Sequence, residues 1–157
     1  KDKGTPIDNL SNYDSKLETY VYIDSLANIT SKKVAFGTKQ AMVKVVEGEE
    51  FVVGKKTTAA TKLAEGDEVL CVRAIRGNET MVMRSEKDAF LRIECASIPD
   101  RKKSSAGVMG MKLDKGEELK EIVVLADGEN QVVEVKGKEF SLNRLHIGSR
   151  GNKGVKK

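Results

Sequence analysis

The residues that could do chemistry in this 157-residue chain are few, and their spacing excludes most kinds of catalytic centre. There is one histidine, His146, and the two cysteines, Cys71 and Cys95, do not form a paired metal-ligand motif such as C-x-x-C. No G-x-x-x-x-G-K-[ST] loop is present to hold nucleotide phosphates. The acidic pairs Glu49-Glu50 and Glu117-Glu118 fall at predicted turns, where solvated carboxylates are ordinary. The sequence therefore predicts no catalytic residue, no metal site and no cofactor.

The stronger signal is a concentration of positive charge near the C-terminus. From Lys136 onward there are seven Lys or Arg residues and one acid, a charge of +6, so the rest of the chain carries −2 of the formal total of +4. Within 149–156, two glycines let the backbone approach a ligand closely, and Arg150 and Lys153 supply positive charge. Such a loop suits the phosphates of a nucleic-acid backbone, and it lacks the rigid helix needed to read bases. A flexible, basic chain end is the alternative interpretation.

These basic residues belong to a sequence repeat, which is expected to position them. The stretch Gly107–Leu119 is a glycine-rich start, a short apolar alternation, an acidic-glycine turn and the beginning of an apolar run. Thr57–Val69 is a weaker copy, and three pairs of matching positions are each 50 residues apart: Leu63 and Leu113, Gly66 and Gly116, Glu68 and Glu118. A fixed period of this size is typical of repeat architectures.

Predicted strands follow the same period. The hairpins are expected at 34–46, 81–93 and 131–142, and their turn positions Ala41, Asp88 and Gly137 are 47 and 49 residues apart. Asp67–Ala74 and Glu117–Ala126 fit either short helices or strands, and their Val, Ile and Leu content favours strands. Thr19–Ile23 alternates as a further strand. About four strands in ~50 residues is the size of a propeller blade.

The sequence therefore predicts an all-β chain of blade-like units. Residues 1–10 are expected to end an upstream blade, 11–69 and 70–119 to form blades, and 120–157 to form an incomplete blade. The corresponding positions Gly4, Thr57, Gly107 and Gly154 place both chain ends in mid-repeat, so we expect a fragment of a longer protein. No apolar run approaches the ~18 residues of a membrane span. The single, apolar-flanked cysteines indicate buried thiols in a reducing cytoplasm more than a disulfide.

The unit from Met81 to Leu119 resembles a repeat of the C-terminal domain of the A subunit of bacterial type IIA DNA topoisomerases, DNA gyrase and topoisomerase IV. The family repeat has a Lys or Arg on the return strand of a hairpin, then Arg, then G-V-x-G-I-x-L, then an acidic G-D/E turn. Here these positions are Arg92, Arg101, Gly107–Leu113 and Gly116-Glu117. Lys3–Leu10 is similar to the end of an earlier repeat.

Residues 148–154 are similar to the gyrase box of that family, Q-R-R-G-G-K-G. Gly148-Ser149 replaces Q-R, and Asn152 replaces a glycine. The box belongs to the first blade of the family, whereas this stretch follows several repeats. Both a gyrase and a divergent or topoisomerase IV-like relative are compatible with these differences.

The resemblance implies a β-pinwheel, a propeller-like partial disc of about three blades that exchange strands, with a basic rim around which double-stranded DNA bends. It also implies a parent type II topoisomerase that uses ATP, with its cutting tyrosine and its ATPase subunit outside this chain. The partners would then be DNA, the ATPase subunit, and the remainder of the A subunit. The candidate DNA-binding residues are Lys55, Lys56, Arg92, Arg101, Lys102, Lys103, Lys112, Arg144, Arg150, Lys153 and Lys156.

Two further expectations accompany this hypothesis. The alternative function is a propeller-like protein-interaction module, whose partner is the rest of its own enzyme or an acidic protein. Because repeats bury their faces against neighbours, a set of about three blades is expected to remain an open arc or to associate with a second copy.

Overall fold

The computed structural model describes residues 3–7 and 11–157. The strands are β1 (Lys33–Thr38), β2 (Met42–Glu47), β3 (Val69–Ile75), β4 (Thr80–Ser85), β5 (Ala89–Glu94), β6 (Val108–Met109), β7 (Leu119–Leu125), β8 (Val132–Val135), β9 (Lys138–Ser141) and β10 (Val155–Lys156). A short helix, α1 (Leu26–Thr30), precedes β1, and 3₁₀ turns span Gly48–Phe51, Cys95–Ser97 and Leu142–Arg144. The prediction of an all-β chain is confirmed.

The strands form two four-stranded antiparallel sheets and a separate hairpin. The first sheet has the order β3-β1-β2-β6, and the second has the order β10-β5-β4-β7. The third hairpin is β8-β9. The two four-stranded sheets span 33–109 and 80–156, so their ranges interleave. The contiguous units at 11–69, 70–119 and 120–157 stay a prediction.

The hairpin turns explain the period seen in the sequence. Ala41 and Asp88 have positive φ angles of 60° and 57°, and each closes a turn just before its return strand. The third hairpin is tighter, because Lys136 and Gly137, with φ angles of 51° and 76°, form a two-residue connection. Such turns match the right-handed twist of the flanking strands. The predicted turn positions are confirmed.

Each four-stranded sheet is completed by a short strand from later in the chain. β6 follows the second hairpin but pairs with β2, with Val108 opposite Val43. β10 pairs with β5 in the same manner, with Val155 opposite Phe90. The strands are therefore exchanged between successive units, which is the pinwheel arrangement that the resemblance implied.

Glycine is required where each exchanged strand begins. A methyl carbon placed on Gly107 would lie 2.8 Å from the carbonyl oxygen of Val43, and one on Gly154 would lie 3.0 Å from the backbone nitrogen of Phe90. Both distances are shorter than ordinary van der Waals contact. Glycine at these two positions therefore permits close packing against β2 and β5, whereas the sequence had suggested a ligand-approach role for Gly154.

The core is aliphatic and has two main parts. Met81, Met83 and Ile93 of the second sheet pack with Val43 and Val45 of the first. A second cluster joins the other face of the second sheet to the third hairpin, and it contains Val82, Phe90, Leu125, Val133, Val135, Leu142 and Leu145. Since successive side chains of a strand point to opposite faces, β4 is buried at all six positions between the two clusters.

One local prediction was wrong. Thr19–Ile23 is not a strand, and Tyr20, Val21 and Ile23 are exposed. An alternating pattern forms a strand only when a neighbouring strand pairs with its backbone, and in the described structure no strand forms a ladder with this segment, although the Tyr22 hydroxyl accepts from the Ala74 N–H of β3. The helix α1 lies in the segment that follows, and it begins after Ser25, whose Oγ accepts a hydrogen bond from the Asn28 N–H.

Other expectations have different outcomes. The strand assignments for Asp67–Ala74 and Glu117–Ala126 are confirmed by β3 and β7. Residues 57–64, the weaker copy of the glycine-rich start, form no strand. The similarity noted at 3–10 falls partly outside the described residues. No helix within residues 3–7 and 11–157 is long and apolar enough to cross a membrane.

Candidate nucleic-acid interface

Two loops that contain predicted basic residues occupy equivalent places in the two sheets. The first basic loop, residues 101–107, precedes β6, and the second basic loop, residues 148–154, precedes β10. An isolated parallel bridge lies just before each loop, Val45 with Asp100 and Arg92 with Ile147. These pairs are displaced by 47 residues, so Lys103 corresponds to Arg150. The two loops therefore follow the period of the fold.

Lys44 anchors the first basic loop to the first sheet. Lys44 of β2 is 1% exposed, and its Nζ donates to the carbonyl oxygens of Ser105 at 2.8 Å, Lys103 at 2.9 Å and Lys102 at 3.3 Å. Burial lowers the pKa of Lys44, against a smaller opposite effect of Glu50. No sequence pattern identifies Lys44, because its partners are backbone atoms.

Glu50 also contacts the first basic loop. Its Oε2 accepts from the Lys103 backbone N–H at 2.9 Å, and its Oε1 lies 3.2 Å from Lys102 Nζ. The Lys103 N–H and the Lys102 ammonium hold the pKa of Glu50 below its usual value. Arg101 is exposed, and its backbone N–H donates to the carbonyl oxygen of Val45. The loop therefore has a fixed backbone and exposed basic side chains.

The second basic loop is attached to the last residue of β6 and to the segment that follows it. Arg150 Nη1 donates to the carbonyl oxygen of Met109 at 2.9 Å, and the Gly151 N–H donates to that of Gly110 at 2.7 Å. The Lys112 N–H donates to the carbonyl oxygen of Asn152 at 2.9 Å. These bonds bring Lys112 and Arg150, both predicted from the sequence to bind DNA, close together.

A basic cluster surrounds Asp114 beside this loop. Lys153 Nζ donates to Asp114 Oδ1 at 2.9 Å. Lys153 holds the pKa of Asp114 below its usual value, and Lys87 and Lys156 lower it further. Lys87 was not predicted, although its place in a hairpin turn directly before Asp88 is a signal that could have found it. Lys87, Lys153, Lys156 and the neighbouring Lys112 and Arg150 are called the second basic cluster below.

The other candidates lie in different surroundings. Arg92 Nε donates to Thr80 Oγ1 at 2.9 Å, and its Nη1 donates to the carbonyl oxygen of Asn143 at 2.8 Å. Its guanidinium therefore fastens the end of the third hairpin to β5, next to the exposed Arg144. Lys55 and Lys56 are exposed in a bend after the first 3₁₀ turn.

Arg84 is a second buried cation with a structural role. Its Nε donates to Asp88 Oδ1 at 2.8 Å, and its Nη2 donates to the carbonyl oxygen of Glu134 at 2.8 Å. The guanidinium also lies 5.3 Å from the ring centre of Phe90. Arg84 thus joins the second sheet to the third hairpin.

The potential metal ligands and nucleophiles are dispersed. In the described parts of the chain, no group of three or more His, Cys, Asp or Glu residues is placed to hold a metal ion. Cys71 and Cys95 are free thiols, and burial raises the pKa of Cys71 to about 11 and that of Cys95 to about 12. Thiolate chemistry at neutral pH is therefore disfavoured at both positions.

Sequence comparison gives a family match and relatives along the whole chain. The family model described as DNA gyrase C-terminal domain, beta-propeller, matches residues 32–75 and 85–125. The DNA gyrase A subunit of Staphylococcus epidermidis is 28% identical over 163 residues, covering 98% of this chain and 18% of the relative. The DNA gyrase A subunit of Lawsonia intracellularis is 25% identical over 164 residues, covering 98% and 20%. The chain thus spans about a fifth of the length of these relatives.

Solved structures share the fold. The crystal structure of the C-terminal domain of DNA topoisomerase IV superposes with a TM-score of 0.80 at 19% identity, covering 97% of this chain and 49% of that one. The structure of the DNA gyrase A C-terminal domain gives a TM-score of 0.75 at 19% identity, covering 98% and 52%. These likenesses confirm the propeller-type architecture. Because the family model matches more than half of its residues, the chain belongs to the DNA gyrase C-terminal domain family.

Proposed function

We propose that this chain is a non-catalytic module that binds and bends double-stranded DNA, within the larger A chain of an ATP-dependent type II topoisomerase. The observation that supports the proposal best is the pair of basic loops at equivalent positions of successive sheets. Each loop has a fixed backbone and presents Lys or Arg side chains to solvent. Two such loops, repeated with the period of the fold, form a row of phosphate contacts.

The chemistry of the loops favours phosphates over bases. Arg101, Lys102 and Lys153 are exposed side chains on loops, and no helix presents them to a groove. Charge neutralisation by such side chains is independent of sequence. Smoothly bending a 20–30 bp site costs about 1–6 kcal/mol, which several phosphate contacts along a curved edge offset.

The wider setting of the module is also part of the proposal. The two gyrase relatives are A subunits, so the partners proposed here are the remainder of such a protein and its ATPase subunit, in the cytoplasm. The candidate DNA-binding residues remain those predicted from the sequence, with Lys87 added from the second basic cluster. Association with a second copy stays a prediction, which light scattering on the purified chain measures.

The test is a salt titration of binding to random-sequence duplex DNA. If about six phosphates are engaged, log affinity falls with log salt at a slope of about −5. Arg150→Glu is expected to weaken binding to all duplex sequences alike. Lys120→Glu is the matched control, since Lys120 is exposed on β7 at the opposite edge of the second sheet from β10. A wild-type slope near zero, or equal losses in both variants, would contradict the proposal.

A second candidate function, a protein-docking module, is supported by an apolar surface near the N-terminus. Five large apolar or aromatic side chains within ten residues are exposed: Leu17, Tyr20, Val21, Ile23 and Leu26. Exposed apolar surface of this kind is typical of protein contacts. Gel shift with random duplex DNA and pull-down with acidic proteins, performed on the same preparation, distinguish the two candidates.

A further inference from the structure

We infer that Lys44 is a positioning residue for DNA binding: it fixes the backbone of the first basic loop so that Arg101, Lys102 and Lys103 face the phosphates. The inference rests on the proposed function. It concerns a residue whose own ammonium group is covered by the loop that it positions.

The Lys44 ammonium group is hydrogen-bonded to the backbone of the first basic loop. An ammonium has three N–H donors, and the three acceptors are carbonyl oxygens of Lys102, Lys103 and Ser105. All three belong to one turn, which is closed by the Ser105 N–H donating to the Lys102 carbonyl oxygen at 3.0 Å. Lys44 therefore determines the shape of the turn, because it directs three carbonyl groups inward.

The charge of Lys44 is buried beneath the loop. Lys44 is 1% exposed, and its Nζ lies 5.3 Å from the centre of the Phe36 ring. A phosphate cannot contact the ammonium unless the loop opens. A buried cation without hydrogen-bond acceptors costs free energy. The three carbonyl groups remove that cost only when the loop has this conformation. The Lys44 charge therefore stabilises the conformation of the loop.

The same arrangement leaves basic side chains of the loop exposed. With three carbonyl groups directed inward, the side chains of the turn are left on the outer side. The Lys102 side chain is 83% exposed, and Arg101 is exposed as well. A loop fixed before binding loses less conformational entropy when DNA binds, which raises affinity.

Of the two basic loops, only the first is held by a buried lysine. Leu91 occupies the position equivalent to Lys44, 47 residues later, and packs beneath Gly148. The second basic loop is attached instead through Arg150 and Gly151 to the carbonyl groups of Met109 and Gly110, at the end of β6. Removal of the Lys44 ammonium should therefore disturb one basic loop and leave the other in place.

The experiment combines Lys44→Met with a variant that removes the charges of the loop, Arg101→Gln/Lys102→Gln/Lys103→Gln. Each lost phosphate contact lowers affinity by about tenfold at about 0.1 M salt and makes the salt slope shallower by about 0.9. We expect Lys44→Met alone to reduce the slope by about 1–3 for the same reason. In the triple-Gln background we expect Lys44→Met to cause no further loss. Lys120→Met, which removes one exposed charge, is the control for net charge.

The outcomes separate the inference from the proposed function. A wild-type chain whose binding shows no salt dependence overturns the proposed function, and the role of Lys44 with it. A wild-type chain that binds with the expected slope, together with an unchanged Lys44→Met slope, overturns the inference alone. Equal losses of affinity from Lys44→Met in both backgrounds would indicate a general effect on the fold and would also overturn it.

A second measurement keeps the inference testable if Lys44→Met does not fold. Lys44→Gln retains a side-chain amide donor within the loop, and we expect it to fold and to show an intermediate reduction of the slope. Hydrogen exchange of the free protein should become faster at the Arg101 and Ser105 amides and remain unchanged at the Gly151 amide. Unchanged protection at Arg101 and Ser105 would contradict the anchoring role.

Discussion

Substitution of Gly107 by alanine tests whether close backbone contact is what permits the exchange of β6. The added methyl group would lie 2.8 Å from the carbonyl oxygen of Val43 and 3.1 Å from its backbone nitrogen. Both are main-chain atoms of β2, so they cannot rotate away as the end of a flexible side chain can. The strand must move outward, which weakens its pairing with β2 and the adjacent bond from the Gly110 N–H to the Ala41 carbonyl oxygen, 2.7 Å long.

The magnitude follows from two opposing effects. Inserting a methyl group into a packed site costs about 1–3 kcal/mol. Replacing glycine by alanine also restricts the unfolded chain, which stabilises the protein by about 0.4–1 kcal/mol. We therefore expect Gly107→Ala to lower the free energy of unfolding by about 1–2 kcal/mol. For a chain of this size that is a decrease in Tm of roughly 2–8 °C.

The assay is urea unfolding followed by far-ultraviolet circular dichroism, with Gly54→Ala as the control. No atom lies within 4 Å of a methyl carbon placed on Gly54, so that variant should be neutral or slightly more stable. Equal midpoints for the two variants would refute the reasoning, because they would show that β6 accepts a side chain where it begins. A loss confined to Gly107→Ala supports close contact as the reason for glycine.

Two further predictions concern buried titratable groups. Burial raises the pKa of Glu79, but hydrogen bonds from the backbone N–H groups of Arg76 and Gly77 outweigh it and hold the pKa below its usual value. The stability that this carboxylate contributes is therefore present above about pH 4.5 and lost as pH falls through its lower folded pKa, so Glu79→Gln should flatten that part of the urea-midpoint profile. Cys95 is 1% exposed, and burial raises its pKa to about 12, so a thiol reagent at neutral pH should modify it only at the rate of unfolding. Rapid reaction of Cys95 in the native protein would contradict this assignment.

The hairpins could be predicted from the sequence because their determinants are local. Ala41, Asp88 and Gly137 recur with a nearly constant spacing, and each has the left-handed conformation that closes a turn. Local patterning also misleads where a partner is missing. Thr19–Ile23 alternates as a strand should, yet no neighbouring strand pairs with it in the described structure. Strand pairing depends on contacts with other segments, which the sequence of a single segment does not reveal.

The site was predicted only in part, for a related reason. The first and second basic loops were found because charged residues precede a glycine that starts a strand, which is a pattern in the chain itself. Lys44 was missed because its acceptors are backbone atoms 58 to 61 residues further along. Arg92 was predicted on the rim, and the structure shows its guanidinium hydrogen-bonded to Thr80 and Asn143. No sequence pattern distinguishes a cation that binds its own backbone from one that faces solvent.

This distinction determines how much of the positive charge is free for the proposed binding of DNA. Lys44 and Arg84 are buried and use their donors on carbonyl or carboxylate oxygens, so releasing them would undo the packing around them. The pairs Lys102–Glu50 and Lys153–Asp114 are different, because their lysine side chains are 83% and 63% exposed. Exposed ion pairs contribute only about 0–1 kcal/mol, so a phosphate replaces the carboxylate at little cost. The number of exchangeable cations along the two loops, and not the formal charge of +4, should therefore set the salt dependence of binding.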